Sequence, residues 1–398
     1  MKGLRLVAPA PPVAGPGGAG PGGAGPGGAG PGGAGLGGAG SGPAAESGGS
    51  AYDRRLVDAL GDLGVDARLV PVPGDWPGGG AEDRERLLAA VLDASAEGVV
   101  LVDGLVGSGA PDVLERARDA GVRAHLLVHL PLHEETGLAS ARAEHLAGLE
   151  ARALAAVAGV VAPSAWLAAR LPRAAGGAAP PVVVARPGTD AAAPAAGSSP
   201  PFLLHLAAVV PRKAQDVVVA ALARLTDLPW TAGLVGDDRR DPAYTARVQA
   251  AVEAHGLADR VAVTGAVGGA ALDAVRHAAD LVLLPSRAEP WGMAVAEGLA
   301  RGVPAVVAAG TGSAEVLGVG EGDAPEGGAE ETADLPGALV PAGDAVALEH
   351  ALRRLLTGAD DPAGPLGRAR AAARRRGAEL PGWEATARAV VDGLGLAP

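Results

Sequence analysis

Short apolar runs of four to six residues recur along most of this chain, each followed by a stretch with helical periodicity. The runs at 4–8, 67–72, 99–103, 124–129, 160–163 and 182–185 alternate with helical stretches at about 51–63, 82–92, 112–120 and 140–157. Continuous apolar runs without polar alternation are what strands buried on both faces require, and strand–helix alternation implies parallel βαβ units. Ser140 is the expected N-cap of the last of these helices. The alternation restarts at 203–209, 232–235, 261–264, 281–284 and 305–308, and the chain ends in helical stretches at about 345–356, 365–376 and 383–393. The expected architecture is α/β: two Rossmann-like, doubly wound parallel-sheet domains facing a central cleft. Residues 1–190 form the first domain, 191–201 a Pro/Ser-containing linker and 202–380 the second. A final helix at 381–398 returns to the first domain.

Inside the first domain lies a tract built on the unit PGGAG. Its period of five excludes the three-residue collagen repeat, and its composition buries too little surface to offset ordering, so residues 15–46 are expected to be a flexible insert. The formal charge of −12 argues against a nucleic-acid partner, and the lack of cysteine removes disulfides and thiolate metal sites. No segment reaches the length of a membrane span or a signal peptide, which makes a cytoplasmic protein the expectation. The arginines at 353, 354, 368, 370 and 374–376 form either a solvated basic face or a docking face for an anionic membrane surface.

The most informative stretch is 281–302, LVLLPSRAEPWGMAVAEGLARG. It reads as a buried strand, a turn fixed by Pro290 and Gly292, and a helix from about 293 to 301 stopped by Gly302. Glu289 falls in the turn and Glu297 one turn inside the helix. The two acids therefore flank a helix N-terminus whose free N–H groups suit phosphate or sugar oxygens. Arg212 and Lys213, in a chain with only two lysines, follow a strand and enter a helix. They read either as a solvated basic turn or as a diphosphate clamp. His129, at the carboxyl end of a predicted strand, is either a structural histidine or one facing the cleft. Gly48 and Gly49, before the first helix, bring backbone amides near a ligand or simply end the Gly-rich tract. No G-x-G-x-x-G follows the first strand, no Walker A motif is present, and no metal-binding motif or carboxylate cluster stands out.

In chain order, PRKAQD, LVGDDRRDPAY, LADRVAVTGAV, the stretch just described and GALVPAGD resemble the landmarks of the nucleotide-sugar half of retaining glycosyltransferases of family 4, which have the GT-B fold. SGGSAYDRR, LVDGL, VHLPL and RPGTD extend the resemblance into the first domain. The resemblance implies transfer of a hexose from a UDP- or GDP-sugar to an acceptor hydroxyl, without a resident metal or other cofactor. It also implies roles for particular residues. Glu289 and the backbone of Trp291, Gly292, Met293 and Ala294 would hold the donor sugar, and Glu297 the ribose. Lys213, with Arg212, would hold the diphosphate, Gly236 and Thr264 would lie by the nucleotide, Gly48 and Gly49 by the donor phosphate, and His129 at the reacting centre. Several positions depart from the family pattern. Ala207 and Ala208 replace Gly-Arg, Ala214 replaces the glycine after the lysine, Thr311 to Glu315 stand for G-G-x-P-E, and Trp291 replaces Phe or Tyr. The missing arginine leaves a catalytically silent sugar-nucleotide binder as the alternative.

Overall fold

In the computed structural model, residues 3–11, 47–135, 137–174, 180–320 and 335–396 are described. The expected insert at 15–46 lies outside them. The first domain contains β1 (Gly3–Pro9), α1 (Gly48–Asp62), β2 (Ala67–Val72), α2 (Ala81–Glu97), β3 (Gly98–Asp103) and α3 (Gly104–Gly107). It continues with α4 (Pro111–Asp119), β4 (His125–Leu127), α5 (Ser140–Ala156), β5 (Gly159–Ala162), α6 (Ala165–Ala174) and β6 (Val182–Val184). The second contains β7 (Phe202–Leu206), α7 (Gln215–Leu222), β8 (Thr231–Val235), α8 (Pro242–Ala254), β9 (Val261–Thr264) and α9 (Gly269–Ala278). Then come β10 (Leu281–Leu284), α10 (Met293–Ala300), β11 (Ala305–Ala308), α11 (Gly312–Val316) and β12 (Gly337–Val340). Three helices close the chain: α12 (Ala345–Leu356), α13 (Pro365–Glu379) and α14 (Trp383–Leu394).

Both sheets have six parallel strands, in the orders β2-β1-β3-β4-β5-β6 and β12-β11-β10-β7-β8-β9. Each reverses direction once, between β1 and β3 in the first and between β7 and β10 in the second. At such a switch point the connections leave on opposite faces and open a crevice beyond the carboxyl ends of the strands. The residues that follow β3, β7 and β10 are therefore the described ones placed to meet a ligand.

Several local expectations are corrected. Ser140 is the first residue of α5, whose N-cap is Ala139 with no side-chain bond. Gly48 and Gly49 are not loop residues: Ser47 caps α1, its Oγ accepting from Ser50 N at 3.1 Å, and both glycines sit in the first helical turn. β7 stops at Leu206, short of 209, and β4 ends at Leu127, leaving His129 in the bend beyond it. A sixth strand, β12, joins the second sheet beside β11.

The end of the chain crosses back to the first domain. Trp383, Ala387, Val390 and Val391 of α14 enter one core with Leu4, Leu6, Leu56 and Leu60. Thr386 Oγ1 donates to Arg186 O at 2.6 Å, and Thr189 N donates to Pro381 O at 2.8 Å. The contact closes over Gly188, where a Cβ would lie 2.2 Å from the backbone nitrogen of Trp383. Backbone cannot yield as a side-chain tip can. Gly188→Ala is expected to lower stability by about 1–3 kcal/mol in urea denaturation, with α14 cleaved earlier than the rest of the chain in limited proteolysis.

Candidate active site

The two loops at the second switch point are tied together by several bonds. Lys213 Nζ lies 2.5 Å from Glu289 Oε2, and Ser286 Oγ donates to the same oxygen at 3.2 Å. Arg287 N donates to Arg212 O at 2.8 Å, while the Arg287 guanidinium forms two bonds to Asp216, at 3.0 and 2.7 Å. His205, fully buried, holds Lys213 from below, its Nε2 lying 2.9 Å from Lys213 O. Burial pushes His205 down to about 4. It is therefore neutral, with the proton on Nε2 facing that carbonyl. Next to Lys213, Ala214 takes the left-handed conformation, φ 59°. A side chain there costs about 1–2 kcal/mol, and the strain sits at the residue where the resembling family has glycine.

Burial opposes charge on both members of the central pair. The Lys213 ammonium and the Arg212 guanidinium nevertheless hold the Glu289 carboxyl below its ordinary value. Lys213 is itself drawn downward, by burial first and by the like charge of Arg212, against the pull of Glu289. Arg212 is directed elsewhere: its Nε donates to Glu135 of the first domain at 3.2 Å and its Nη1 to Ala288 O at 3.2 Å.

Gly292, φ 95°, turns the chain into α10, with only 3.1 Å between its hypothetical Cβ and that of Ser313. Gly292 O accepts from Val295 N and Ala296 N. The amides of Met293 and Ala294 have no acceptor among the described residues, which leaves the N-terminus of α10 open for an anion. Trp291, Met293 and Glu297 line a cavity of about 270 Å³ between α10, α1 and residues 188–192. Arg54, Arg55, Arg276 and Arg301 line it as well, with Asp190 and Asp273. Glu297 is bonded to Arg276, and burial raises its carboxyl above the usual range against that pull. Trp291 Nε1 and Thr264 Oγ1 are buried without a partner among the described residues. At Gly236 a Cβ would lie 1.9 Å from Ala207 O, so the glycine allows two strand-end loops to touch.

At the first switch point, three side chains from separate elements converge. His129 Nε2 lies 2.8 Å from Asp53 Oδ1 of α1 and 3.5 Å from Asp103 Oδ2 at the end of β3. The expectation that no carboxylate cluster exists is thereby corrected, since Asp53 and Asp103 stand fifty residues apart in sequence and meet only through the sheet. Donor atoms of the three lie within 4.8 Å of one another. The 2.8 Å contact is that of a direct hydrogen bond, whereas tetrahedral ligands on bonds of about 2 Å would stand roughly 3.3 Å apart. The cluster is read as one that holds protons. Asp53 and Asp103, with the arginines of the cavity, were not singled out in the sequence. Both acids lie inside the quoted SGGSAYDRR and LVDGL stretches, but nothing local marks them as partners of His129.

Burial, together with the nearby Asp53 charge, pushes Asp103 up to about 7. For His129, burial opposes the imidazolium, but Asp53 and then Asp103 outweigh it and raise its value. Both shifts have one sign in linkage. The native state holds more protons than the unfolded chain, Asp103 between about pH 4 and about pH 7 and His129 from about pH 6.5 through its raised folded value, so their contribution to stability is lost as pH rises. Asp103→Asn, which retains an acceptor for the 2.6 Å bond from Leu105 N, is expected to flatten the fall in urea midpoint across that window relative to the unsubstituted protein.

Residues 189–373 match the model of the family described as glycosyl transferases group 1. Among curated relatives, the chain is 33% identical over 197 residues to D-inositol 3-phosphate glycosyltransferase of Kineococcus radiotolerans, covering 48% of this chain and 43% of that one. It is 33% identical over 111 residues to mannosylfructose-phosphate synthase of Agrobacterium fabrum, covering 26% and 24%. The matched segments thus span less than half the length of either relative. Among solved structures, sucrose-phosphate synthase from Thermosynechococcus elongatus superposes with a TM-score of 0.73 at 21% identity, covering 98% of both chains. The Anabaena protein HepE in complex with UDP-glucose does so with a TM-score of 0.66 at 17% identity, covering 99% of this chain and 100% of that one. The second domain is thus similar, over residues 189–373, to the group 1 glycosyl transferases, and the chain as a whole has the GT-B architecture of two facing Rossmann-like domains.

Proposed function

We propose that the protein is a retaining glycosyltransferase that moves a hexose from a UDP- or GDP-sugar to an acceptor hydroxyl, without a resident metal. The observation that carries this reading is the pairing of Lys213 and Glu289 beside the open amides of Met293 and Ala294, at the switch point of a group 1 domain. The ammonium and the helix amides neutralise a departing diphosphate. Glu289, held ionised, accepts from hydroxyls of the donor sugar, and Glu297 accepts from the ribose. Trp291 Nε1 and Thr264 Oγ1, without partners among the described residues, are available to the nucleotide sugar. His129 lies at the reacting centre on the opposite wall. The departing diphosphate takes the acceptor proton as the new glycosidic bond forms on the same face of the sugar. Protein cations do the work a metal would do elsewhere, and Arg54 and Arg55 of α1 add charge where Ala207 and Ala208 supply none.

Isothermal titration of the full chain with UDP and with GDP is expected to show one of them binding well below the roughly millimolar end of ordinary affinities. Absence of binding by a folded protein would sink the reading. Glu297→Ala is expected to weaken that nucleotide about tenfold or more, the loss of hydrogen bonds to a charged acceptor being about 1.5–3 kcal/mol. Nucleotide retained without turnover on any sugar donor would instead mark a silent binder. The acceptor panel begins with phosphorylated hexoses and polyols, because the two curated relatives carry such compounds in their names. Turnover is expected to persist in excess EDTA.

A further inference from the structure

Two buried carboxylates stand beside His129, and the proposed reaction uses neither directly. We infer that Asp53 is a positioning residue for His129: it fixes the ring in the tautomer with the proton on Nε2 and leaves Nδ1 as the nitrogen presented to solvent at the cleft. The consequence for turnover rests on the proposed reading of His129, but the tautomer itself does not.

The geometry leaves the ring little freedom. Asp53 Oδ1 is 2.8 Å from Nε2, and Asp53 is itself 2% exposed, so its carboxylate has no competing shell of water. Gly49, one turn earlier on α1, receives the adjoining ring edge: a Cβ there would lie 3.0 Å from Cδ2 and 3.3 Å from Cγ. Tyr52 meets the ring edge-on, with centroids 5.1 Å apart and planes at 72°. Tyr52 is in turn anchored by its hydroxyl, which donates to Ala185 O at 2.8 Å. Asp103 completes the enclosure. Its Oδ1 accepts from Leu105 N at 2.6 Å, and its Oδ2 stands 3.5 Å from Nε2, too far to replace Asp53.

Nδ1 differs from Nε2. It has no hydrogen-bond partner among the described residues, and it is not among the buried atoms that lack one, so it meets solvent. A carboxylate can only accept, so an ionised Asp53 selects the Nε2–H form. Nδ1 then offers a lone pair while the ring is neutral and an N–H once it is protonated. This division of labour, with one nitrogen held by an acid and the other left to act, is how carboxylate-oriented histidines work in general. Asn at position 53 would present an amide N–H to Nε2 as readily as an oxygen, and the selection would be lost.

The test is a nitrogen NMR spectrum of the full chain labelled with ¹⁵N-histidine, recorded at a pH high enough that the His129 ring is neutral, with His129 assigned by comparison with His129→Gln. The expected result is the Nε2–H form in the unsubstituted protein and a shift toward Nδ1–H in Asp53→Asn. With UDP-glucose as the probe donor, Asp53→Asn should lose at least about 100-fold in kcat, by analogy with the roughly 10⁴-fold loss when the orienting aspartate of a serine-protease triad becomes asparagine. KM and the affinity for UDP should change little, a split that a merely structural lesion would not give. An Nδ1–H signal in the unsubstituted protein, or an unchanged tautomer in Asp53→Asn, overturns the inference. If Asp53→Asn fails to fold, the spectrum of the unsubstituted protein still decides the tautomer. If no donor is turned over by the unsubstituted protein, the proposed reaction fails while the spectrum still decides the role of Asp53.

Discussion

The contact between Lys213 and Glu289 fixes the relation between the two loops from which the second domain builds its site. Removing two charges from water costs several kcal/mol per ion, and their attraction returns that only with good geometry and further hydrogen bonds. The pair is therefore better understood as a device for position than as a source of stability. Its surroundings supply support: a bond from Ser286 and the nearby charge of Arg212 on the side of the acid, and neutral His205 bonded to the lysine backbone. The Arg287–Asp216 bridge repeats the connection one layer out. With both loops held, the cation, the acid and the open amides of α10 keep fixed places relative to one another. Preorganisation of that kind is what makes such groups effective toward developing charge.

A similar economy of means joins the two domains. Glu315, at the end of the second domain's short helix α11, accepts from Ala165 N at 3.3 Å and Trp166 N at 2.6 Å, the first amides of α6 in the other domain. A carboxylate at a helix N-terminus satisfies free donors and opposes the helix dipole. Arg186, also from the first domain, closes on the same oxygen. On the other flank α14 places Trp383 against Tyr52, with ring centroids 5.6 Å apart, and Tyr52 against His129. The orientation of His129 thus depends on the last helix of the chain, more than two hundred residues away. Met293, the first residue of α10, packs on that same cluster. The two switch points are therefore brought face to face by packing as well as by charge.

Which of these features can be read from the amino-acid sequence follows from how far apart the participants lie. Glu289, Gly292 and Glu297 share one strand–turn–helix unit, so periodicity and turn chemistry are enough to place them. Lys213 was legible for the same reason, as a cation between a strand and a helix, although its bond to Glu289 joins residues 76 apart. Asp53, Asp103 and His129 come from three connections of one sheet and have no local signature. Ser140 failed as a cap because the chain before it already turns at Ala139, a difference of one residue that propensity does not resolve. β12 was missed because its four residues depend on pairing with β11 rather than on their own pattern. Ala207 and Ala208 looked like a missing clamp when read as text. The fold brings four arginines to the cavity from α1, α9 and the C-cap of α10, and no single contiguous motif holds all four.

The cavity's charge is local and not a by-product of composition. The chain carries a formal charge of −12, yet the described residues lining the space beside α10 include Arg54, Arg55, Arg276 and Arg301 alongside Asp190, Asp273 and Glu297. Four cations against three carboxylates leave a modest positive excess, and burial raises the Glu297 carboxyl above its ordinary value against the pull of Arg276. Carboxylates within such a wall favour hydroxyl donors, while the guanidinium groups and the amides of α10 favour an anion. Within the wall the acids and cations already meet: Asp190 pairs with Arg55, Asp273 with Arg276 and Arg301, and Glu297 with Arg276. The proposed sugar nucleotide, which joins hydroxyls to a diphosphate, would exchange with both kinds of group in such a wall.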